Sequence, residues 1–246
     1  MKAVIIAAGC GSRIKNAHEQ SHKTLIRING KRIIDDIIEK LIDCKINDIV
    51  IITGYKNKEL EQAIKNSTYQ NVKLQFINNP EWKKSNGISV HCAKESISEN
   101  EEFVLLMSDH IFEKDILQNI IKTKINKSQG LLAIDFKIDQ IPDLNDGMKI
   151  QCEPTNDPFH KIIKFDKKLK NYQAIDSGIF KFNYSFFNYL EKAFSLEKYS
   201  LSDACNLIAN NNNMIGMDIK TNLWLDIDTP EMFNSKKIIN KIIFPE

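Results

Sequence analysis

The stretch K-A-V-I-I-A-A-G-C-G-S-R, residues 2–13, joins an apolar run to a turn that contains two glycines. A continuous apolar run is typical of a strand that is buried on both faces. The same letters also suit an export signal with a lipid-attachment site at Cys10. A secretory apolar segment needs about 7–15 residues, however, and the run over residues 4–8 is shorter. The stretch therefore predicts a buried strand that leads into a tight turn.

Strands and helices alternate through the first half of the sequence. Isoleucine and leucine recur at helical spacing over residues 31–44, which predicts an amphipathic helix there. Similar patterns predict strands at 48–53, 72–77, 103–107 and 130–136, and helices at 57–65, 88–96 and 113–124. This alternation predicts a mostly parallel sheet with helices on both faces.

The second half of the sequence is less regular. The polar, proline-containing segment 139–158 predicts a loop or hairpin excursion. Further along, the patterns predict a strand at 174–182, a helix at 201–209, an alternating strand at 224–228 and a closing helix at 229–242. The aromatic residues of 184–189 fit the apolar face of a helix. We therefore expect one α/β domain over residues 1–246, with a Rossmann-like mixed sheet and a small inserted lobe.

Composition excludes several classes of protein. The net charge is only +2, so it creates no general attraction to nucleic acid. No run reaches the ~18 apolar residues of a membrane span. The five cysteines lie far apart without a CxxC pair, which argues against a zinc site and a disulfide framework. These features fit a cytoplasmic protein without a membrane span.

The turn after the first strand lacks two familiar phosphate-binding patterns. A Walker loop is absent, and Ile14 stands where a dinucleotide fingerprint has its third glycine. The loop can still direct backbone N–H groups at an anion, with Arg13 inside it and Lys23 downstream. An ordinary tight turn with surface cations remains the alternative.

Acidic residues follow one of the predicted strands and lie within another. Asp109 comes directly after the strand at 103–107, and strand periodicity places Trp224, Asp226 and Asp228 on one face. Mg²⁺ prefers oxygen ligands and often takes one or two protein carboxylates. Asp109 and Asp226 are therefore predicted metal ligands. Asp228 is either a further ligand or the N-cap of the next helix. The neighbouring His110 either orients a ligand or has a structural role.

Several motifs together resemble a known family. Residues 7–13, AAGCGSR, followed by Lys23 resemble the AAGxGxR…KP signature of the nucleotidyltransferases that make NDP-sugars and CDP-alcohols, although Thr24 replaces the common proline. Within that family, the chain resembles the CTP:inositol-1-phosphate cytidylyltransferases. The motifs that carry this narrower resemblance are 79–82, 85–90, 105–110, 174–178, 200–203 and 224–231.

The resemblance implies a GT-A-like nucleotidyltransferase fold and assigns roles to particular residues. Residues to about 136 would form the nucleotide-binding half, and 137–246 the acceptor-binding half. The triphosphate would be wrapped by Ala7, Ala8, Gly9, Gly11, Ser12 and Arg13. Cytosine and ribose would lie near Asn86, Gly87 and Ser89. The catalytic cations would be Arg13, Lys23 and Lys167. Mg²⁺ would be held by Asp109 and Asp226, and the acceptor would contact Asp176 and His110.

The implied reaction is transfer of CMP from CTP to a small phosphorylated acceptor, with inositol 1-phosphate as the leading choice. Phosphocholine, an aminoalkylphosphonate and phosphoglutamine are alternative acceptors. A sugar-1-phosphate nucleotidyltransferase that uses another NTP and a non-catalytic nucleotide-binding subunit also remain open. The membrane-embedded transferase of bifunctional relatives is absent, so we expect a stand-alone soluble enzyme. The oligomeric state stays open, with a dimer as one option.

Overall fold

The computed structural model describes residues 1–11, 22–228, 232 and 236–243. The strands are β1 (Lys2–Ala7), β2 (Arg27–Ile28), β3 (Lys31–Arg32), β4 (Asp48–Thr53), β5 (Lys73–Asn78), β6 (Glu102–Met107), β7 (His110–Phe112), β8 (Gly130–Asp135), β9 (Lys149–Pro154), β10 (Phe159–Phe165), β11 (Ala174–Asn183), β12 (Met214–Asp218) and β13 (Trp224–Asp226). The helices are α1 (Ile33–Asp43), α2 (Asn57–Lys65), α3 (Asn86–His91), α4 (Lys114–Lys122), α5 (Phe186–Ser195), α6 (Leu201–Asn210) and α7 (Lys236–Ile243).

A nine-stranded sheet in the order β5-β4-β1-β6-β11-β8-β12-β10-β9 organises the chain. Strands β5, β4, β1 and β6 are parallel, so their carboxyl ends share one edge. Strand β11 is antiparallel to both β6 and β8 and joins this half to the rest of the sheet. Two short additional sheets pair β13 with β7 and β2 with β3. The predicted α/β fold with a mixed sheet is confirmed.

Apolar layers cover both faces of the sheet. Ile5 of β1 belongs to one buried cluster, which includes residues of α1, α2, α4 and α7. Its neighbours Val4 and Ile6 belong to the other cluster, with residues of α3, α5 and α6. The alternation along β1 matches the period of two of a strand. The strand is therefore buried on both sides, as its continuous apolar sequence predicts.

The structure corrects several predicted element bounds. The helix predicted from residue 31 begins at Ile33, because Lys31–Arg32 pairs with Arg27–Ile28 as β3 with β2. The helix predicted over 88–96 is divided into Asn86–His91 and a 3₁₀ turn at Lys94–Ser96.

Other differences lie in the second half of the chain. The excursion at 139–158 contains β9, which pairs with the unpredicted strand β10 as a hairpin. The helical residues of the predicted closing helix are Lys236–Ile243. Residues 229–231, and with them the predicted N-cap arrangement at Asp228, fall outside the described residues. In the described part of the chain, no helix has the length and apolar character needed to cross a membrane.

Candidate active site

Two adjoining pockets lie where the parallel strands end. The larger, of about 610 Å³, is lined by the turn after β1 and by Lys23, Trp82 and Ser89. The smaller, of about 260 Å³, contains Asp176 and Lys167. Both pockets are lined by Asn86, Met107, Asp109 and Asp228. A ligand in each pocket would therefore meet the other at the acidic residues.

The turn after β1 brings the chain close to Lys23. Ala8 accepts a hydrogen bond from the Tyr55 amide at 3.0 Å, which fixes the end of β1 against the exit of β4. Gly11 has a φ of +56°, and a Cβ atom there would lie 2.8 Å from the Lys23 Cβ. Glycine is therefore needed both for the backbone conformation and for space. The predicted phosphate-binding residues Ser12 and Arg13 lie outside the described residues.

Backbone pairing brings Asp109 and Asp226 together. After β6, Ser108 donates its amide hydrogen to the Ile6 carbonyl at 3.3 Å, so the chain follows β1 to its end. Strand β13 then pairs antiparallel with β7, with Asp226 opposite His110. The Ile227 amide donates to the Asp109 carbonyl at 2.9 Å. Residues more than one hundred positions apart thus form one acidic site.

Lys23 lies among three carboxylates. Its Nζ is 2.6 Å from Asp109 Oδ2 and 3.8 Å from Asp226 Oδ1, and it also donates to Asp228 Oδ1. The lysine is buried, with 7% of its surface exposed. Burial alone would lower the pKa of Lys23, but the three carboxylates outweigh burial and raise that pKa above its ordinary value. Lys23 therefore stays charged at neutral pH.

His110 faces the same carboxylates from the other side. Its Nδ1 donates to the Ser177 carbonyl at 2.7 Å, which directs Nε2 towards Asp226 Oδ2 at 3.6 Å and Asp109 Oδ1 at 3.7 Å. Burial alone would lower the pKa of His110, but the charge of Asp226, supported by Asp109, raises it to about 10. A charged His110 at neutral pH follows from this arrangement.

The acidic site suits a divalent cation that prefers oxygen. Asp226 Oδ1 is buried and accepts no hydrogen bond from any described residue. Burial and the charge of Asp109 raise the pKa of Asp226 more than His110 and Lys23 lower it, so a further positive charge would favour the ionised carboxylate. Asp109, His110 and Asp226 have ligand atoms within 4.8 Å of one another. Carboxylate oxygens fit Mg²⁺, whereas an imidazole nitrogen is a poor ligand for it.

Of the residues predicted to lie near cytosine and ribose, Asn86 and Ser89 line the larger pocket. Asn86 begins α3, and its Oδ1 accepts a hydrogen bond from the Leu201 amide at 2.9 Å. A Cβ atom on Gly87 would lie 2.5 Å from the Tyr199 carbonyl, so glycine lets α3 approach the start of α6 closely. Ser89 is buried and lines the pocket. Their contact with a nucleotide stays a prediction.

The comparisons with known proteins agree with this arrangement. The sequence pattern of the family described as Nucleotidyl transferase matches residues 2–237. The chain belongs to this nucleotidyl transferase family. Members of the family generally use a divalent metal ion, which is consistent with the acidic site.

Individual relatives cover the chain to different extents. The chain is 30% identical over 231 residues to the bifunctional IPC transferase and DIPP synthase of Aquifex aeolicus, covering 93% of this chain and 49% of that protein. It thus spans about half the length of that curated relative. The CTP:phosphoglutamine cytidylyltransferase of Campylobacter jejuni is 28% identical, with coverage of 93% of this chain and 96% of that protein.

A solved structure supports the fold of this nucleotidyl transferase. The inositol-1-phosphate CTP transferase from T. maritima superimposes with a TM-score of 0.84 at 19% sequence identity. The match covers 99% of this chain and 96% of the other. Agreement over nearly the whole length shows that the two chains share this fold.

Lys167 lies at the rim of the smaller pocket. Its Nζ donates to Asp146 Oδ1 at 2.7 Å, and both side chains are exposed. The Lys149 Nζ donates to the Lys167 carbonyl at 2.8 Å and to the Leu144 carbonyl at 3.2 Å, which ties this turn to the loop before β9. Lys167 therefore lines the smaller pocket, whereas Lys23 lines the larger one. Its catalytic role remains a prediction.

Asp176, the predicted acceptor-binding acid, lines the smaller pocket. Its Oδ1 accepts a hydrogen bond from the Gly178 amide at 2.7 Å. The protein surrounds the carboxyl group, although part of the side chain reaches the pocket. Burial raises the pKa of Asp176 to about 6, and the Gly178 hydrogen bond and His110 only partly oppose it. Ionisation of Asp176 therefore costs folding free energy.

Asp176→Asn should make the protein more stable at neutral pH. The folded state binds the Asp176 proton more tightly than the unfolded state, so wild-type stability falls as pH rises from about 4 to 6. Allowing for solvent at the pocket, we expect a gain of about 2 kcal/mol above pH 6.5. The gain should vanish below about pH 4. Urea unfolding of both proteins across this range measures it, and a gain that is independent of pH would contradict the assignment.

Three residues that the structure places near the site receive no role in the sequence analysis. His22 is buried beside Lys23, and its Nδ1 lies 3.0 Å from Thr24 Oγ1. Asn79 is buried at the exit of β5, and Asp146 pairs with Lys167. For His22, adjacency to Lys23 is a signal that could be used in advance. For Asn79 and Asp146, only the tertiary structure identifies the partner.

Proposed function

We propose that the chain transfers CMP from CTP to a small phosphorylated acceptor, and that the acceptor is inositol 1-phosphate. The pair of adjoining pockets carries the proposal. The larger is of a size that holds a nucleotide, the smaller suits a small acceptor, and Asp109 lies at their boundary. The names of the Campylobacter jejuni relative and of the T. maritima structure support cytidylyl transfer.

The proposed reaction joins two phosphates. An oxygen of the acceptor phosphate attacks the α-phosphorus of CTP, a new P–O bond forms, and the bond to the β-phosphate oxygen breaks. Pyrophosphate leaves with that electron pair. The acceptor phosphate is ionised at neutral pH, so the reaction needs no general base. Repulsion between anions is the main obstacle, and positioning with electrostatic stabilisation supplies most of the catalysis.

Positive groups around the boundary would offset this repulsion. Lys23 is held at the boundary by its carboxylate partners, and Lys167 lies on the acceptor side. Arg13 would complete the set from the loop. Asp109 and Asp226 would hold Mg²⁺, which would supply countercharge and orient the phosphates when bound. Use of CTP and the five free cysteines support a cytoplasmic location.

Pyrophosphate release with CTP, Mg²⁺ and a panel of acceptors tests the proposal. The panel contains inositol 1-phosphate, phosphocholine, aminoethylphosphonate, phosphoglutamine and glucose 1-phosphate. We expect release with inositol 1-phosphate and none with the Asp109→Asn variant. Release with another acceptor would retain cytidylyl transfer and replace the substrate. Release only with a different NTP and glucose 1-phosphate would favour a sugar nucleotidyltransferase. Failure to bind CTP would overturn the proposal.

A further inference from the structure

The side-chain amide of Asn79 has a fixed orientation. Its Oδ1 accepts a hydrogen bond from the Glu81 amide at 2.9 Å, and a backbone N–H can only donate. The other end of the side chain, Nδ2, therefore faces Ser89 and donates to Ser89 Oγ at 2.9 Å. The backbone amide of Asn79 donates to the Thr53 carbonyl at 2.7 Å, which anchors the residue to the end of β4. Asn79 is 1% exposed, so water does not compete for these bonds.

The orientation of the Asn79 amide determines whether the Ser89 hydroxyl is a hydrogen-bond donor or an acceptor towards a ligand. Ser89 Oγ already accepts a hydrogen bond from Asn79, and its own proton has no acceptor among the described residues. The side chain is 3% exposed and lines the larger pocket. A buried hydroxyl proton without a partner is costly. Ser89 is therefore poised to donate to a ligand in the pocket.

We infer that the Asn79–Ser89 pair discriminates cytosine from uracil by presenting a hydrogen-bond donor to ring atom N3 of the base. This inference rests on the proposed function, because it requires a pyrimidine nucleotide in the larger pocket. Cytosine carries a lone pair at N3, whereas uracil carries an N–H group there. Ser89 satisfies cytosine while keeping its bond from Asn79.

Uracil would leave one group unsatisfied. Ser89 could accept from the uracil N3–H through its second lone pair, but its own proton would then stay buried without an acceptor. Such a loss commonly changes selectivity by tenfold or more. Asn79 is a positioning residue in this scheme, because it acts on the base only through Ser89.

Asn79→Asp tests the inference by reversing the polarity of the pair. When ionised, the introduced carboxylate keeps the bond from Glu81 and accepts from Ser89, so that Ser89 can only accept from the base. We expect wild-type protein to bind CTP about tenfold more tightly than UTP, and Asn79→Asp to bind UTP more tightly than CTP. The added negative charge weakens both nucleotides, and the ratio of dissociation constants cancels that effect. Calorimetry or equilibrium dialysis without acceptor gives this ratio.

Two further variants complete the test. Ser89→Ala should bring the CTP and UTP dissociation constants close together without reversing the preference. Asn206→Asp is the matched control, because Asn206 is also locked, with Oδ1 accepting from the Phe165 amide and Nδ2 donating to the Phe165 carbonyl. It should leave the ratio at the wild-type value. Circular dichroism establishes that each variant is folded.

The outcomes separate this inference from the proposed function. An unchanged CTP preference in folded Asn79→Asp and Ser89→Ala would overturn the inference while leaving cytidylyl transfer intact. Equal affinity of the wild-type protein for CTP and UTP would also overturn it. Absence of binding to either nucleotide would overturn the proposed function itself. A reversed CTP preference in Asn79→Asp, together with equal affinity for CTP and UTP in Ser89→Ala, would establish that the Asn79–Ser89 pair determines the choice of base.

Discussion

Lys23→Met should lower turnover by about a thousandfold, the effect expected when a group that stabilises transition-state charge is lost. The same change should destabilise the metal-free protein by about 3–5 kcal/mol, because it leaves the carboxylates of Asp109, Asp226 and Asp228 close together with less countercharge. Mg²⁺ should then stabilise the variant more than the wild-type protein, since it replaces the lost charge. Thermal unfolding with increasing Mg²⁺ measures this response.

Lys40→Met is a suitable control for this variant. Lys40 is 8% exposed and donates to Asp36 at 2.6 Å, in a different pocket from the acidic site. Its loss should reduce stability by a smaller amount, because Lys31 still donates to Asp36 at 3.1 Å. Turnover should remain close to wild type and the response to Mg²⁺ unchanged. Equal loss of turnover in the two lysine variants would show that Lys23 acts through stability alone.

Asp226→Asn should abolish Mg²⁺-dependent turnover and yet stabilise the metal-free protein at neutral pH. Burial and the neighbouring Asp109 raise the pKa of Asp226, so its ionised form is disfavoured in the folded state. A neutral amide removes that cost together with the proposed metal ligand. Turnover assays and urea unfolding without metal measure the two effects. If Asp226 had only a structural role, its replacement would lower turnover and stability together.

Asp228→Asn should have the opposite effect on stability from Asp226→Asn. Asp228 is buried and accepts a hydrogen bond from Lys23, so the neutral variant should be less stable than wild type. A modest loss of turnover would identify Asp228 as a partner of Lys23 rather than a metal ligand. A loss as large as that of Asp226→Asn, accompanied by weaker Mg²⁺ binding, would instead place Asp228 in the metal site.

The site residues that follow β1 and β6 could be predicted from sequence, because the ends of these strands depend on local patterns. One residue separates the end of β1 from the first glycine of the turn, and one residue separates the end of β6 from Asp109. The strand β10 has no such local signal. Its Lys161 and Lys164 suggest a solvated surface, and a bulge between Ile162 and Lys164 interrupts the alternation. Its formation depends on pairing with β9 and β12.

Strand β12 and the charge pairs depend on distant neighbours. A Cβ atom on Gly216 would lie 2.5 Å from Ile134 of β8, so a residue that weakens an isolated strand is required by the packed one. Likewise, no local rule selects Asp228 rather than another acid as a partner of Lys23, because the two are 205 positions apart. The sequence pattern can propose the members of the site, but the tertiary structure determines their pairing.

The place of β11 in the sheet has a consequence for synthesis of the chain. The four parallel strands are complete at Met107, yet one edge of β6 acquires its partner only when Ala174–Asn183 has been made. Until then, a growing chain presents an unpaired apolar edge of the kind that promotes aggregation. A fragment ending before residue 174 should therefore be prone to aggregation, and the half of the chain up to about residue 136 should mature only after the following half has begun to fold.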